Sequence, residues 1–214
     1  MHVRHGRKER QSNYEYEIPS ESIQFFEHRH SAKHVPTVTR RTHRCWVSLD
    51  GRPIELIVSD LPPLNRFPRD TLDEWQTVRC GVLSTADIYV LIFDVSDVRR
   101  TFNKVRELYA QLMELRRRDE REYGVLVVGN KTDLLVKHAE GEGPQELRDA
   151  VTLIRKNWKI AYVETSARYN YHIAQLFRLI AGGPGPLQRG GSAGADGRQG
   201  GTLRRDRDGK CIIL

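Results

Sequence analysis

The 214-residue sequence is poor in cysteine and has no long apolar run. Its three cysteines are Cys45, Cys80 and Cys211, and no two of them have the C-x-x-C spacing. An odd, sparse set argues against a disulfide framework or a zinc site and favours a reducing compartment. No stretch approaches the roughly 18 apolar residues of a spanning helix, and the basic N-terminal segment lacks the apolar stretch of a secretory signal. The composition therefore excludes a membrane span, a secreted disulfide scaffold and a cysteine-bound metal cluster.

The excess of positive charge lies at the two ends of the chain. The formal net charge is +7. Residues 1–45 carry nine basic and five acidic side chains, residues 181–214 carry six and three, and the segment between them is balanced. A nucleic-acid-binding domain usually carries its excess charge on a folded face, and residues 1–45 offer no aromatic stacking platform. We therefore expect solvated basic tails and no nucleic-acid partner.

Between the tails, apolar runs alternate with helical patterns. Residues 45–49 and 54–60 flank an Asp-Gly pair, which is the signal of a β-hairpin. Continuous apolar runs at 88–95 and 123–130 are typical of strands covered on both faces. This alternation indicates an α/β fold, a mostly parallel sheet with helices on both faces, whose ligand site lies at the carboxyl ends of the strands. One more strand is predicted at 160–165, and helices are predicted at 71–83, 98–118, 145–157 and 171–181.

The C-terminal part of the chain has a different composition. Ten of the seventeen glycines lie beyond residue 180, together with two prolines and no periodicity. This composition predicts a flexible linker. We therefore divide the chain into a divergent basic N-terminus at 1–20, a folded domain at 21–181, and a flexible glycine-rich tail at 182–214.

Two short motifs follow neighbouring predicted strands. Asn130-Lys131-Thr132-Asp133 comes directly after the strand at 123–130, and Glu164-Thr165-Ser166-Ala167 ends the strand at 160–165. Each motif alone is weak, and Asn130 and Asp133 have the alternative role of capping the next helix. Together they stand in order, one strand–helix unit apart, each at a strand's carboxyl end. The pair is a strong signal of one common site.

With these motifs in register, the chain resembles a Ras-type small GTPase, which has a P-loop-GTPase-like fold. The resemblance implies that the cofactors are GTP or GDP and Mg²⁺, with effector proteins as partners through the switch surface. Asp133 would accept two hydrogen bonds from guanine, a pattern that adenine lacks. Lys131 would cover one face of the base, and Asn130 would tie the neighbouring loops together. The backbone N–H groups of Ser166 and Ala167 would read the guanine O6.

The resemblance extends to the segments that sense the phosphates and the metal. Thr37 follows Pro36 as in the family's first switch, where the threonine is a magnesium ligand. Asp60 matches the aspartate that holds the magnesium through water. The segment 59–75 resembles the second switch of a divergent branch, the Ras-like family 10 proteins, and the fit extends over about residues 23–170.

The family's phosphate-binding loop has no counterpart. Counting back from Thr37 in the family's register, its lysine and hydroxyl positions hold Ile18 and Pro19, and no G-x-x-x-x-G-K-[ST] occurs anywhere in the sequence. The family's first strand lies in the middle of the sheet. Its candidate here, residues 14–18, would bury Glu15 and Glu17 together on one face of a covered strand, which costs several kcal/mol. We therefore expect the first strand and the P-loop to be absent, as in a truncated isoform.

Hydrolysis is expected to be very weak or absent. The glycine of the family's D-x-x-G box is replaced by Pro63, which has no N–H to meet a γ-phosphate. The family's water-orienting glutamine position holds Leu64. No catalytic residue is assigned, so the status of the chain as an enzyme (GTP to GDP and phosphate) stays open.

The C-terminal residues form a lipidation signal. Cys211-Ile212-Ile213-Leu214 is a C-a-a-X box, and a terminal leucine predicts geranylgeranylation of Cys211. Basic residues upstream favour the anionic inner leaflet of a membrane. We expect the protein at the cytoplasmic face of the plasma membrane, with a cytosolic pool; the alternative is a free thiol on a flexible tail.

Two hypotheses from different classes remain. The first is a membrane-anchored, Ras-like GTP-binding signalling protein with little or no hydrolysis. The second is a pseudo-GTPase interaction protein that keeps the Ras-type surface and acts without nucleotide. They differ in how the missing phosphate loop is interpreted.

Overall fold

The computed structural model describes residues 40–49, 51–61, 86–116, 122–135, 144–182, 188–189 and 209–213. The first elements are the antiparallel strands β1 (Arg41–Leu49) and β2 (Arg52–Asp60), in which Leu49 lies opposite Arg52. The turn between them contains Gly51 at φ 76°, a left-handed conformation that glycine adopts without steric cost. The predicted hairpin is confirmed.

The centre of the domain is built from parallel strands and the helices that connect them. The strands are β3 (Ile88–Asp94), β4 (Glu122–Asn130) and β5 (Ala161–Glu164). The helices are α1 (Val98–Arg116), α2 (Gln145–Thr152, continued as a π-helix over Leu153–Trp158) and α3 (Ile173–Gly182). Each of these elements overlaps a segment predicted from the sequence. The predicted helix at 71–83 and the candidate strand at 14–18 lie outside the described residues.

Helices cover both faces of the sheet, as the continuous apolar strands predict. On β3, Tyr89 and Leu91 point towards α1 and α2, whereas Ile88 and Val90 point towards α3. The same alternation holds along β4. One core cluster thus lies between the sheet and α1–α2, and the other lies between the sheet and α3. The α/β fold with a mostly parallel sheet is confirmed.

Two short strands lie within the range expected to be a linker. β6 (Gln188–Arg189) pairs antiparallel with the first two residues of β4. β7 (Gly209–Ile213) lies inside the sheet, whose order is β1-β2-β7-β3-β4-β5, and it is parallel to both of its neighbours. The structure therefore differs from the expected free tail at these residues. The strand β7 is too short to show a hydrophobic periodicity in the sequence. Its position depends on the gap between β2 and β3, which exists only in the folded domain.

None of the described helices combines the length and the apolar character needed to cross a bilayer.

Candidate functional site

The carboxyl ends of the parallel strands bring three polar side chains to one edge of the sheet. Asp94 at the end of β3 lies opposite Asn130 at the end of β4. Glu164 at the end of β5 lies opposite Gly129, one residue before Asn130. Because parallel strands end at the same edge, the segments that follow them are neighbours. The two sequence motifs therefore meet at this edge.

Asn130 joins the two motifs with its side-chain oxygen. Oδ1 accepts hydrogen bonds from the backbone N of Lys131 at 2.7 Å, from Oγ1 of Thr165 at 3.4 Å and from the backbone N of Ala167 at 3.4 Å. The side chain is buried, since Asn130 is 5% exposed. A buried amide oxygen shared in this way holds both segments in one fixed arrangement.

Backbone hydrogen bonds strengthen the same junction. The N–H of Thr132 donates to the carbonyl oxygen of Thr165 at 3.2 Å, and Thr132 Oγ1 donates to the same oxygen at 3.1 Å. The N–H of Thr165 donates in turn to the carbonyl of Gly129 at 2.8 Å. Thr132, which occupies the variable position of the Asn-Lys-x-Asp motif, thus contributes to the junction, a role not predicted from the sequence.

Asp133 is held at the rim of this junction. Its Oδ1 accepts a hydrogen bond from Oγ of Ser166 at 2.6 Å, and its Oδ2 lies 4.0 Å from the guanidinium of Arg168. An ionised carboxylate has about four acceptor positions, so these two contacts leave capacity for further donors. Asp133 sits in a short 3₁₀ turn, Thr132–Leu134, so it does not cap a following α-helix.

Lys131 bridges towards β3. Its backbone is left-handed, at φ 67°, and its ammonium group lies 2.9 Å from Oδ2 of Asp94. Partial burial lowers the pKa of the Lys131 ammonium, and the nearby carboxylate of Asp133 partly offsets this effect. Asp94 was not among the residues predicted from the sequence, although a charged residue at the end of a buried strand was a usable signal.

Asp94 is itself fixed by the start of the next helix. Its Oδ1 accepts from the backbone N of Ser96 at 2.8 Å, and Thr101 Oγ1 donates to its backbone carbonyl at 3.0 Å. The ion pair with Lys131 therefore joins a capped helix start to the Asn130 junction.

The loop after the second motif is closed by its own backbone. Ser166 and Tyr171 exchange hydrogen bonds in both directions, at 3.2 and 2.9 Å. The two N–H groups expected to read the guanine O6 both donate within the protein, that of Ser166 to Tyr171 and that of Ala167 to Asn130. Asn170 and His172 adopt left-handed backbone conformations, at φ 55° and 57°.

Asp60 is a second buried polar feature, at the end of β2. It is 1% exposed, and neither carboxylate oxygen has a hydrogen-bond partner among the described residues. Burial raises its pKa to about 7, and the positive charge of Arg41 opposes this shift only in part. A buried carboxyl group without donors fits a position that meets a hydrated cation. Within the described ranges, no group of three or more acidic, histidine or cysteine side chains forms a complete metal site.

The structure does not describe every residue of the predicted site. Thr37, Pro63 and Leu64 are outside the described residues, so the predicted metal ligand Thr37 and the second switch keep the status of sequence predictions. Cys211 lies in β7, where its Cα pairs with that of Ile57.

Comparisons with known proteins match the same part of the chain. The Ras family model matches residues 20–182. Human Ras-like protein family member 10B is 35% identical over 192 residues, which is 89% of each chain. Mouse Ras-like protein family member 10A is 33% identical over 150 residues, 69% of this chain and 70% of the relative. Human GTP-binding protein Di-Ras1 is 26% identical over 183 residues, 85% and 82% of the two chains.

Proposed function

The chain belongs to the Ras family, and from this premise we propose that the junction built on Asn130 is its guanine-binding site. The resemblance to Ras-type small GTPases and to their family 10 branch is confirmed, and the chain is a Ras-like signalling protein of the small GTPase class. Proteins of this family generally bind GTP or GDP with Mg²⁺ and act through effector proteins.

The observation that carries the proposal is the junction at the ends of β4 and β5. Asn130 fixes the two segments against each other, so Asp133 is held at the rim before any base arrives. The Ser166 hydroxyl orients one carboxylate oxygen of Asp133 and leaves acceptor positions for the N1–H and the exocyclic amine of guanine. The Lys131 side chain extends towards Asp94, and its apolar stem would lie beside the guanine base. Ser166 and Ala167 would approach the O6 side of the base.

A divalent cation fits the neighbouring Asp60. Its buried, unpartnered carboxyl group would be compensated by a hydrated Mg²⁺, which supplies positive charge against the phosphate oxygens when bound. Thr37 would be its partner from the first switch. Asp60 would hold this position as an ionised group, because the cation favours the deprotonated form.

We propose that turnover of GTP is very weak or absent. The sequence holds no phosphate-loop motif, and Pro63 and Leu64 replace the glycine and the glutamine of the family's second switch. The same features support the second candidate, an interaction protein that acts without nucleotide. A specific observation favours it: among the described strands, the one that lies between β2 and β3 is the C-terminal segment Gly209–Ile213.

Lipid anchoring completes the proposal. Geranylgeranylation of Cys211 together with upstream basic residues would place the protein reversibly at the cytoplasmic face of the plasma membrane. A single lipid chain gives marginal binding, so a cytosolic pool is expected.

Base specificity provides the test. Titration calorimetry of the whole chain should show binding of GDP with Mg²⁺ and no binding of ADP. The Asp133→Asn variant should no longer bind GDP and should bind xanthosine diphosphate (XDP), because the new amide N–H can donate to the exocyclic carbonyl of xanthine. Asp149→Asn, the same substitution on the exposed side of α2, is the control and should bind GDP normally.

The outcomes separate the two candidates. Equal binding of GDP and ADP, or an unchanged preference in Asp133→Asn, would contradict the assigned base site. If the folded chain binds neither nucleotide, the switch proposal fails and the nucleotide-independent interaction protein is supported.

A further inference from the structure

The strands β2 and β3 do not pair with each other, and a C-terminal strand lies between them. β7 pairs with β2 over five residues, from Glu55 opposite Gly209 to Ser59 opposite Ile213. It pairs with β3 at Ile88 and Tyr89. Strands in a sheet lie about 4.8 Å apart, so the gap that β7 fills spans about 10 Å from β2 to β3.

The residues on both sides of this gap are buried. Leu56 and Val58 on β2 are 0% exposed, and Ile88 and Val90 on β3 are 2% and 3% exposed. These four side chains belong to the same core cluster as α3. The backbone groups that border the gap therefore lie in apolar surroundings and need hydrogen-bond partners. An extended backbone between the two strands satisfies both borders, and β7 does so in the parallel direction.

The chain's own C-terminal segment meets this requirement. β6 already holds the tail at the amino end of β4, and β7 starts from the same end of the sheet. Residues 190–208 separate the two strands along the sequence, and a chain of that length can span up to roughly 60 Å. The distance from β4 to the gap is about two strand spacings, or about 10 Å. The connection is therefore long enough without strain.

We propose that the gap between β2 and β3 is a strand-binding site that the segment Gly209–Ile213 fills, and that this occupation withholds Cys211 from lipid attachment. The second part rests on the proposed geranylgeranylation. The family's first strand lies in the middle of the sheet, and here β7 occupies the middle position. The C-terminal segment thus has two uses, as a strand that completes the domain and as a lipidation signal.

The two uses exclude each other because both require the same backbone. A prenyl transferase acts on the C-terminal C-a-a-X residues and must reach the sulfur of Cys211. Its reaction forms a thioether bond between Sγ of Cys211 and C1 of geranylgeranyl diphosphate, releases diphosphate and transfers the thiol proton to solvent. In the sheet, the backbone around Cys211 is paired with β2, and the next residue is paired with β3 as well. Lipid attachment therefore requires the strand to leave the sheet.

A disulfide to the native Cys211 tests the strand placement. Opposite positions in neighbouring strands have the Cα separation that a disulfide needs, so Ile57→Cys should form an intramolecular disulfide with Cys211 under mild oxidation. All variants also carry Cys45→Ala and Cys80→Ala, which remove the other two native cysteines. The control is Ile54→Cys, the same substitution on the same strand but outside the β7 register, and it should react about tenfold more slowly.

The crosslinking outcomes are decisive for the first part of the proposal. Equal rates for Ile57→Cys and Ile54→Cys would overturn the placement of β7. A covalent dimer formed through Ile57→Cys would also overturn it, because the strand would then come from a second copy.

Lipidation rates test the second part. Lys210→Pro leaves the four-residue box intact but removes an N–H from the central strand, where proline is not accommodated. With purified geranylgeranyl transferase and geranylgeranyl diphosphate, K210P should be modified about tenfold faster than K210A, which removes the same charge. Ten-residue C-terminal peptides that carry the same two substitutions measure how far the transferase itself prefers proline or alanine at position 210.

These rates separate the proposed lipidation from the proposed competition. If the peptides are modified but K210P and K210A react at equal rates, the competition is refuted. If neither the peptides nor the proteins are modified, the lipidation proposal fails, while the disulfide result still decides whether β7 fills the gap.

Discussion

Replacing Asp60 with asparagine should stabilise the protein at pH 8 and leave its stability nearly unchanged at pH 4. The side chain is 1% exposed and has no hydrogen-bond donor among the described residues. Burial raises its pKa from the ordinary 3.8 to about 7. A shift of about three units corresponds to about 4 kcal/mol, because one unit is worth about 1.4 kcal/mol. This value is the upper limit for the gain.

The direction of the effect follows from proton binding in the two states. Between pH 4 and pH 7 the unfolded chain releases the Asp60 proton, whereas the folded chain keeps it. The free energy of unfolding therefore falls as the pH rises through this interval and levels off above it. Asparagine is uncharged in both the folded and the unfolded chain, so its contribution to the free energy of unfolding does not fall as the pH rises. The advantage of the variant should thus grow from near zero at pH 4 to at most about 4 kcal/mol at pH 8.

Urea denaturation at several pH values, with EDTA and without nucleotide, measures this difference. Asp149→Asn on α2 controls for the substitution itself, because its carboxylate lies at the surface. An equal stability of wild type and Asp60→Asn at pH 8 would refute the reasoning. So would a gain of the same size at pH 4, since it would show that the effect does not come from the charge.

Two further substitutions test the packing of the site. Gly129→Ala should lower the free energy of unfolding by about 1–3 kcal/mol, because a Cβ there would lie 2.5 Å from Oη of Tyr162, and part of this loss should be recovered in the double variant with Tyr162→Phe. Asn130→Ala should cost about 2–4 kcal/mol and abolish guanine binding, since three donors lose their acceptor, whereas the exposed Asn103→Ala should change neither quantity measurably. Denaturant titration checks both stabilities. An additive double variant at 129 and 162, or an Asn130→Ala as stable as Asn103→Ala, would contradict these explanations.

The strands and helices of the central domain were predictable because their sequence signals are long. The run at 88–95 alternates between two covered faces and became β3, whose side chains divide between the two core clusters. The helix predicted at 98–118 is α1, with Val105 and Leu112 buried against the sheet. The strand extends over seven residues and the helix over more than two turns, so each is long enough for its hydrophobic periodicity to identify it in the sequence.

The candidate site was predictable in its residue types and not in its contacts. The order and spacing of the two motifs brought Asn130, Asp133 and Ser166 together, because parallel strands end at one edge. The ion pair between Lys131 and Asp94 was missed, since it depends on the left-handed backbone of Lys131 rather than on a spacing. Contacts set by one unusual dihedral angle leave no periodic signal.

The position of β7 links the candidate site to the C-terminal segment. The Asn130 junction, which we propose as the guanine-binding site, is held by hydrogen bonds between residues at the ends of β4 and β5 and in the segments that follow them. Asp60, in contrast, ends β2, and among the described strands β2 is joined to β3 in the sheet through β7. The position of the candidate cation ligand relative to the proposed base site therefore depends in part on the strand Gly209–Ile213, beside the shared packing of β2 and β3 against α3. If that strand leaves the sheet, recognition of the base is expected to persist while the cation site loses its fixed geometry. Base recognition and cation binding would then respond differently when the C-terminal strand leaves the sheet.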